Sequence, residues 1–467
     1  MRLPLLATQL RKYFWYCRIY GVKNATRLAI RRLKKPNIAP QLAPLPLSDL
    51  RISCAEENLP LIDKKISVII PTRDAGAEFP LLLRKLKAQK GIRELEIILV
   101  DSGSSDETIR FGRDARATVV EIAPGSFNHG FSRNKGAEHA TGDFLFFTVQ
   151  DALPMTEQWL WEMANALVQN DVVAVSCAEF PRSDCDLFYR LLMWSHYRHL
   201  HLDRDRFLAW DKSCASDLGL RANSGISDLA ALIRREVFQK YKYHHGFAED
   251  LELGKRLITD GHRIGFLYST RILHSHNRPA FYYLKRGYVD ARFRNEVFPG
   301  SYIEIENDAA LVRDIAALYQ RTNCVAHTIS GLESSQSVGG LIDRIRGLYL
   351  QEPENLKREG RVPEDGELDE FVKGLISKWE IPTPQYNAKT NMILPHLLAH
   401  VAELEKYLSG VYESMDTDLI ADVASALRKM VALHAGNHMG YWYATAWASG
   451  RDTMHLREMD AMLQGGV

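Results

Sequence analysis

Short apolar runs alternate with amphipathic segments between about residue 64 and residue 150. Four runs rich in β-branched and aromatic residues predict strands that are buried on both faces; they lie at residues 66–70, 95–100, 118–122 and 143–149. Helices are predicted at residues 80–89, near Ser104 and at residues 132–140. The start near Ser104 rests on the capping-box spacing of Ser104 and Glu107. This alternation predicts an α/β fold with a doubly wound, mostly parallel sheet covered by helices.

The last third of the chain spaces its apolar residues by three or four and therefore predicts helices. They are expected at residues 309–319, 339–349, 368–379, 394–407 and 419–434. These helices contain no chemical motif, so we predict a C-terminal α-helical domain for oligomerisation (including a homo-oligomer), acceptor docking or partner binding. Four histidines at helical spacing are interpreted as helix-surface residues rather than metal ligands: His396, His400, His434 and His438.

The N-terminal end is strongly cationic. No acidic residue precedes Asp49, while Lys and Arg crowd residues 1–35 together with aromatic residues such as Trp15. This pattern predicts a basic amphipathic helix in peripheral contact with an anionic membrane; a basic helix that packs on the rest of the protein is the alternative. Four prolines between residues 36 and 46 predict a linker. The expected domains are residues 1–63, 64–300 and 301–467.

Composition changes this picture little. The chain has 467 residues, 46% of them hydrophobic, which is enough for sizeable cores. Lys and Arg number 59 against 58 Asp and Glu, so net charge gives no reason to expect a polyanionic partner, and we predict no nucleic-acid partner. Six cysteines without CxxC pairs favour a reducing cytoplasm over a disulfide framework or a zinc site. No apolar run approaches the roughly 20 residues of a membrane-spanning helix.

Polar clusters follow three of the predicted strands, at residues 71–74, 101–106 and 150–151. In open sheets of this kind, ligands bind beyond the carboxyl ends of the strands. Asp151 follows a strand buried on both faces, which holds it with little freedom and suits a divalent cation, Mg2+ or Mn2+, that bridges a diphosphate. The alternatives are turns and caps for Asp101 and Asp106, and a turn before Pro154 for Asp151.

Five stretches carry a resemblance to a known family. They are ISVIIPTRDAG (66–76), EIILVDSGSSDET (96–108), FNHGFSRNKGAEHATGDFLFFTVQDALP (127–154), FAEDLELGKRLITDGHRIG (247–265) and ILHSHNR (272–278). Together they resemble glycosyltransferase family 2, which has the GT-A fold. The phrases FNHGFSRNKGAEHATGD, QDA and HSHN are most similar to the bacterial rhamnosyltransferase-type members. The resemblance covers about residues 64–295 and makes the predicted sheet GT-A-like.

The resemblance implies a nucleotide-sugar site at the strand ends. The family's nucleotide-cradling Pro-Thr segment falls on residues 71–73, and the aspartate that binds base and ribose falls on Asp101. The metal-binding DxD motif falls near Asp151, but its first acid is missing and Gln150 precedes the surviving one. Arg133, at a helix start that favours phosphate, either binds diphosphate or belongs to the fold. The predicted nucleotide-sugar-binding residues are Pro71, Thr72, Arg73, Asp101, Asp106, Arg133 and Gln150.

The resemblance places the catalytic base at Asp250, with Glu249 as the alternative, at the start of a helix expected at residues 249–259. In an inverting transfer an acceptor hydroxyl attacks the anomeric carbon, a carboxylate takes its proton, and a cation takes up charge on the leaving diphosphate. Without the resemblance, two acids at this position are an ordinary helix start, because they favour the positive end of the helix dipole.

His274 and His276 alternate in a strand expected at residues 272–276, so both side chains should face the same way. Either can complete a metal site, and the family often has a histidine there; a structural or surface pair is the alternative. The predicted metal ligands are therefore Asp151, His274 and His276, and the predicted cofactor is Mg2+ or Mn2+.

These observations favour an inverting glycosyltransferase. The predicted donor is a nucleotide sugar, with a dTDP-sugar and L-rhamnose favoured, and the predicted acceptor is a cell-surface glycan or lipid-linked oligosaccharide of the O-antigen type. The predicted location is the cytoplasmic face of the plasma membrane. Two alternatives stay open, a non-catalytic nucleotide-sugar or glycan-binding module and a scaffold that recruits partners through its C-terminal helices. The missing acid before Asp151 supports the former, whereas the Glu249-Asp250 pair opposes it.

Overall fold

The computed structural model describes residues 59–209, 217–244, 246–298, 307–332, 336–351, 366–381, 385–412, 414–451 and 454–465. The predicted basic helix and proline linker lie outside the described residues. Within them the chain forms two compact units. The sheet unit comprises residues up to 277 together with 293–298, and the helical unit comprises residues 278–292 together with those from 307 onward. The predicted domain boundaries at residues 63 and 300 stay predictions.

The sheet unit is built on nine strands. They are β1 (Ile62–Thr72), β2 (Ile92–Asp101), β3 (Thr118–Glu121), β4 (Phe144–Thr148), β5 (Leu153–Pro154), β6 (Ala174–Phe180), β7 (Arg206–Leu208), β8 (Ala230–Arg234) and β9 (Ile264–Leu273). The order is β3-β2-β1-β4-β8-β6-β9-β5, and β7 also pairs with β9. The pairs β1–β2, β1–β4, β2–β3 and β6–β9 are parallel, whereas β8 runs antiparallel between β4 and β6. The predicted α/β class and mostly parallel sheet are confirmed.

Eight helices accompany these strands within the described part of the sheet unit. They are α1 (Phe79–Lys87), α2 (Thr108–Asp114), α3 (His129–Glu138), α4 (Trp159–Gln169), α5 (Leu187–His199), α6 (Asp217–Asn223), α7 (Arg235–Tyr241) and α8 (Glu249–Thr259). α1 has the expected proline in its first turn. α3 begins three residues before its predicted start because the Asn128 side chain accepts a hydrogen bond from the Phe131 amide and caps the helix there.

The predicted helix start near Ser104 is wrong. α2 begins at Thr108, and Glu107 makes no side-chain cap. The amide and hydroxyl of Ser104 both donate to the carboxylate of Asp101, at 2.8 and 2.5 Å. A cap needs the hydroxyl oxygen as an acceptor, and the Ser104 oxygen instead accepts from the Asp74 amide at 2.9 Å. The capping-box spacing of Ser104 and Glu107 is therefore coincidental.

The central strand β4 is buried along its whole length. All five of its residues are buried, as the apolar run predicted. Leu145 and Phe147 share one core cluster with Ile233 of β8 and with Leu253 and Leu257 of α8. Packing of α8 against this cluster fixes its axis, so the first residues of α8 have a defined position relative to β4.

The helical unit contains the predicted C-terminal helices. It includes α9 (Ala280–Val297) up to Arg292, and α10 (Asp308–Ser330), α11 (Val338–Leu350), α12 (Gly366–Lys378), α13 (Leu394–Val411), α14 (Thr417–Ala448) and α15 (Met454–Leu463). α9 and α14 pack closely because they meet at glycines. A Cβ on Gly436 would lie 1.9 Å from the Leu284 carbonyl oxygen, and one on Gly440 would lie 2.3 Å from that of Tyr288. Among the described residues, no helix has the length and apolar character needed to span a membrane.

The histidines of this unit are not simply surface residues, which corrects the sequence-based interpretation. His438 is buried, His400 and His434 are half-buried, and only His396 is exposed. His400 Nδ1 lies 3.3 Å from His434 Nε2, and the rings of His396 and His438 are 4.9 Å apart. The spacing of four along α13 and α14 therefore brings the pairs together between two helices.

Candidate active site

The candidate site lies at one edge of the sheet. The pairings give β1, β2, β4, β6 and β9 the same direction, so their carboxyl ends meet at this edge together with the amino end of β8. All three predicted polar clusters, at residues 71–74, 101–106 and 150–151, therefore lie there, as expected for an open α/β sheet. The residues that follow β9 and those that precede β8 join them.

Asp101 organises the loop after β2. It is 1% exposed, and its carboxylate accepts hydrogen bonds from the Thr72 hydroxyl at 2.9 Å and from the amides of Gly103 and Ser104 at 3.0 and 2.8 Å. Asp101 therefore does form a turn, which was the alternative that the sequence left open. The same bonds couple Asp101 to Thr72, which brings two predicted nucleotide-binding residues into contact.

Hydrogen bonds in both directions join the loop after β1 to the loop after β2. Asp74 Oδ1 accepts from the amides of Ser105 and Asp106 at 2.7 and 3.3 Å, while Asp106 Oδ2 accepts from the Gly76 amide at 2.9 Å. The other oxygen of Asp106 accepts from the Thr108 amide and hydroxyl. These hydrogen bonds lower the pKa of Asp106 despite the opposing effect of burial. Asp106 therefore fixes the shape of both loops.

Gln150 bridges the ends of β4 and β1. Its Oε1 accepts from the Arg73 amide at 2.8 Å, and its Nε2 donates to the Arg73 carbonyl at 3.1 Å. A carboxylate could accept the first bond but not donate the second. Gln150, which precedes Asp151, thus clamps the backbone of the Pro-Thr-Arg segment, and the Arg73 side chain stays exposed.

Asp151, His274 and His276 form the candidate metal centre. Their ligand atoms all lie within 4.8 Å of one another, and no other such group of three or more occurs among the residues that the structure describes. Asp151 Oδ1 lies 3.5 Å from His274 Nε2, Asp151 Oδ2 lies 3.3 Å from His276 Nε2, and the two Nε2 atoms are 3.1 Å apart. β9 ends at Leu273 rather than at residue 276, yet the two histidines face the same way, as predicted.

Glu179, at the end of β6, orients His274. Its Oε1 lies 2.8 Å from His274 Nδ1, so Nε2 is the ring nitrogen that faces Asp151. The Tyr189 hydroxyl donates to the same oxygen, and the Glu179 amide donates to the Tyr197 hydroxyl at 2.6 Å. A carboxylate behind a histidine is the usual outer partner of a metal-bound imidazole because it fixes the ring and raises its basicity.

Electrostatics favour a cation at this position. Burial opposes ionisation of His274, but the carboxylates of Glu179 and Asp151 outweigh it and raise the pKa of His274. Burial would also raise the pKa of Asp151, but its hydrogen bond to His274 and the charges of both histidines lower that pKa. The centre therefore attracts positive charge. One carboxylate and two imidazoles fit Mn2+ better than Mg2+, which prefers an all-oxygen shell.

Glu249 and Asp250 begin α8 but have different surroundings. Ala248, with a left-handed φ of 54°, precedes them and turns the chain into the helix. Glu249 is 4% exposed, and its Oε1 lies 3.2 Å from Arg133 Nη1. Asp250 is half-buried and accepts from the Leu251 and Asp228 amides at 2.6 and 3.3 Å. Of the two acids, Asp250 is the less buried residue.

Burial and the charge of Asp228 raise the pKa values of both acids. Desolvation is the largest cause for each, and Arg133 acts in the opposite direction. A carboxylate with a raised pKa is a stronger proton acceptor, which is the property that a general base needs.

Arg133 lies with these acids and not in an open anion site. It is 2% exposed, and its Nη2 lies 2.5 Å from Asp228 Oδ2. Asp228 precedes β8, which puts it at the same sheet edge as Asp151, because Thr148 pairs with Ala230. Sequence reasoning missed Asp228 and Glu179. The only signals in the sequence were the position of Asp228 just before the apolar strand β8 and that of Glu179 near the end of the apolar strand β6.

Comparison with known proteins decides the family. Residues 67–241 match the sequence profile of glycosyl transferase family 2. This segment is a glycosyltransferase family 2 domain. It contains Asp101, Arg133, Asp151 and Asp228, whereas the catalytic candidates of α8 and the two histidines after β9 follow it. The GT-A-like class predicted for the sheet unit agrees with this membership.

Relatives of the family 2 domain include two O-antigen chain rhamnosyltransferases. The one from Salmonella anatum is 27% identical over 216 residues, which cover 45% of this chain and 66% of the relative. The one from Salmonella typhimurium is 28% identical over 218 residues, covering 46% of this chain and 67% of the relative. The chain thus spans about two thirds of these proteins, and the matched region is less than half of the chain.

Solved structures similar to the chain include a mannosyltransferase from Pyrobaculum calidifontis in complex with GDP-Man and Mn2+. It shows 15% identity and a TM-score of 0.41, with coverage of 87% of this chain and 97% of that one. Staphylococcus aureus TarS 1-349 in complex with UDP shows 14% identity and a TM-score of 0.39, with coverage of 83% and 92%.

Proposed function

We propose that this protein is an inverting glycosyltransferase that moves a sugar from a nucleotide-diphosphate donor to a glycan acceptor. The proposal rests on two groups that lie at one edge of the sheet. One is the candidate metal centre of Asp151, His274 and His276, and the other is the half-buried carboxylate of Asp250, whose pKa is raised. Such a transfer needs both, because charge develops on the leaving diphosphate while a proton leaves the attacking hydroxyl.

The nucleotide would lie on the joined loops after β1 and β2. The exchange between Asp74 and residues 105–106, and the Gln150 clamp on Arg73, hold that surface rigid before any ligand arrives. In our proposal Pro71, Thr72, Arg73 and Asp101 contact the nucleotide, whereas Asp106 and Gln150 keep the loops in place. Rigid loops reduce the ordering cost of binding.

A divalent cation held by Asp151, His274 and His276 would neutralise charge on the diphosphate. Its donor set favours Mn2+. The chain's own residues supply the remaining chemistry. Asp250 accepts the proton of the acceptor hydroxyl as its oxygen bonds to the anomeric carbon, and the bond from that carbon to the diphosphate breaks on the opposite face. Glu249 is paired with Arg133 and buried, so it is not the base.

The names of the Salmonella relatives support rhamnose as the transferred sugar and an acceptor of the O-antigen type. We propose dTDP-L-rhamnose as the donor. In this proposal residues 64–300 are the transferase domain, residues 301–467 serve acceptor docking or assembly into a homo-oligomer, and the basic residues 1–35 hold the enzyme to anionic lipid at the cytoplasmic membrane face. A lipid-linked acceptor would be available there.

Thermal unfolding tests the donor site without knowledge of the acceptor. The protein is melted with dTDP, UDP, GDP or CMP, each with and without Mn2+, beside Asp151→Asn and the exposed control Asp114→Asn. A nucleotide at about a hundred times its Kd stabilises the native state by roughly 2.7 kcal/mol. We expect a Mn2+-dependent shift with one nucleotide that Asp151→Asn abolishes and Asp114→Asn retains. No shift with any nucleotide would contradict the proposal.

Turnover separates an enzyme from a binding module. Incubation of the wild type with dTDP-L-rhamnose and the sugar conjugates of the other nucleotides, with Mn2+, should release free nucleotide diphosphate from one of them, because water can replace the acceptor. Asp250→Asn should bind the nucleotide but release far less product. Binding without release by the wild type would favour the non-catalytic alternative.

A further inference from the structure

We propose that Arg133 and Asp228 are positioning residues that hold the start of α8 and set how readily Asp250 accepts a proton. The inference rests on the proposed function, in which Asp250 is the base. It gives a role to Arg133 of the FNHGFSRNKG stretch, for which the sequence left open a diphosphate ligand or a part of the fold.

Both terminal nitrogens of the Arg133 guanidinium have partners inside the protein, whereas its buried Nε has no hydrogen-bond partner among the residues that the structure describes. Its Nη1 donates to Glu249 Oε1 at 3.2 Å and to the His129 carbonyl at 3.1 Å, and its Nη2 lies 2.5 Å from Asp228 Oδ2. The side chain is 2% exposed. A charge this deep is stable only with such partners. The Arg133 guanidinium therefore pairs with the acids, and its burial leaves no exposed part to which a diphosphate could bind.

Helix α3 braces the loop before α8 at two further points. Asn134 donates to the Tyr243 carbonyl at 2.8 Å and accepts from the Tyr243 amide at 3.0 Å. A Cβ on Gly246 would lie 2.1 Å from Nδ2 of the Asn128 side chain, so the loop approaches the start of α3 closely there. Residues 128–134 thus hold both ends of the loop that delivers Glu249 and Asp250.

The charges around Asp250 do not balance. Asp228, Glu249 and Asp250 face one guanidinium, and Tyr243, whose buried hydroxyl has no hydrogen-bond partner, adds none at neutral pH. Among the residues that the structure describes, three ionised carboxylates beside Arg133 would bring more negative than positive charge into a poorly solvated place, which is costly. Burial and the neighbouring acids raise the pKa of Glu249 to about 10 and that of Asp250 to about 7, so Glu249 takes the first added proton and Asp250 titrates near neutral pH.

Opposite charge changes should therefore have opposite effects. Asp228→Asn removes a negative charge next to Asp250 and should make it a weaker proton acceptor. Arg133→Met removes the positive charge and should make it a stronger one. A residue with a purely structural role would lower activity in both variants without moving the pH dependence in opposite directions.

The experiment measures kcat/KM for release of nucleotide diphosphate from the nucleotide sugar that the wild type hydrolyses, between pH 5 and 9. The midpoint of the acidic limb reports the base. We expect it to move down by about one pH unit in Asp228→Asn and up by about one unit in Arg133→Met, a shift that corresponds to tenfold in proton affinity. Arg133→Lys should keep the wild-type midpoint. Asn134→Ala, which loosens the brace without a change of charge, should lower the rate but not move the midpoint.

Thermal unfolding against pH gives a second readout that needs no substrate. A carboxyl with a raised pKa binds its proton more tightly in the folded state, so stability falls as pH rises from its unfolded value towards its folded one. This fall should be smaller in Asp228→Asn than in the wild type and larger in Arg133→Met. If Arg133→Met does not fold, Asp228→Asn and Arg133→Lys carry the comparison.

The outcomes separate the two proposals. Wild-type protein that hydrolyses no nucleotide sugar would count against the proposed function alone, because the unfolding data still report the charge coupling. Hydrolysis whose midpoint stays in place in Asp228→Asn, or moves the same way in both charge variants, would overturn the positioning role.

Discussion

The Nδ1 atom of His274 lies 2.8 Å from a carboxylate oxygen of Glu179, and this contact aims the other ring nitrogen at Asp151. Two strands that pair in parallel, β6 and β9, supply the two residues, so the orientation of the imidazole is built into the sheet. The candidate metal centre thus depends on Glu179, which is not one of its three ligands.

Replacement of this acid should weaken metal binding. Glu179→Gln removes the charge that raises the basicity of His274, and losses of an outer partner typically cost about 10- to 100-fold in metal affinity. Calorimetric titration with Mn2+ measures the change. Glu162→Gln is the matched control, since Glu162 is a partly buried acid of the same unit that bonds to Thr270. Equal Mn2+ affinity in Glu179→Gln and the wild type would refute the orienting role.

The Gln150 clamp should contribute to stability and to nucleotide binding. Gln150→Ala deletes two hydrogen bonds to the Arg73 backbone, each worth roughly 0.5–1.5 kcal/mol. We expect a loss of about 1–2 kcal/mol in urea unfolding and weaker nucleotide binding, because the loop after β1 is no longer fixed. Gln150→Glu keeps the accepted bond and should lose less. The exposed Gln169→Ala is the control, and a Gln150→Ala variant as stable as this control would contradict the clamp.

Two glycines of the helical unit, Gly436 and Gly347, should respond differently to replacement by alanine. A methyl group on Gly436 would lie 1.9 Å from a backbone carbonyl, whereas nothing lies within 4 Å of the same position on Gly347 in α11. Gly436→Ala should therefore destabilise the protein by about 1–3 kcal/mol or more through overpacking. Gly347→Ala should be neutral or stabilise it by up to about 1 kcal/mol, because alanine is the better helix former. Equal melting temperatures for the two variants would contradict this packing.

Acid should destabilise the helical unit through His438. Burial lowers the pKa of His438 to about 4, although its hydrogen bond to the His434 carbonyl acts in the opposite direction. The unfolded chain binds this proton near pH 6.5, so the folded state binds fewer protons between about pH 6.5 and 4 and stability falls as pH is lowered through that window. Tm measured from pH 7.5 to 4 should fall less steeply in His438→Gln than in the wild type. The exposed His139→Gln should follow the wild type, and an unchanged slope in His438→Gln would exclude His438 as the cause.

Some elements were readable from the sequence because a single local signal determined them. The apolar run before Gln150 predicted β4 to within a residue at each end, and the helix over residues 249–259 was predicted with its observed bounds. Alternation also gave the common direction of His274 and His276. In these cases burial and local spacing act together, and tertiary contacts only confirm them.

Other features depend on partners that are distant in the chain. Ser104 has the spacing of a helix cap, but its hydroxyl oxygen accepts from the Asp74 amide, 30 residues earlier in the chain. Arg133 has the position of a phosphate ligand, but Asp228 and Glu249, 95 and 116 residues away in the chain, claim its guanidinium. No local pattern reveals such competition. Sequence alone thus identified Asp151, Glu249 and Asp250 as candidates, but it missed Asp228 and Glu179 and could not show how the charges are shared.

The order of the strands has a consequence during synthesis. β9 lies between β6 and β5, and it is followed by the two histidines, 123 and 125 residues after Asp151. At translation rates of about 5–20 residues per second, the ribosome makes His276 roughly 6–25 s after Asp151. Until then the nascent chain has a gap in its sheet with unpaired strand edges and one carboxylate in place of a cation site. A partly made chain can therefore neither complete the candidate metal centre nor cover its strand edges, and exposed edges of this kind are what chaperones protect.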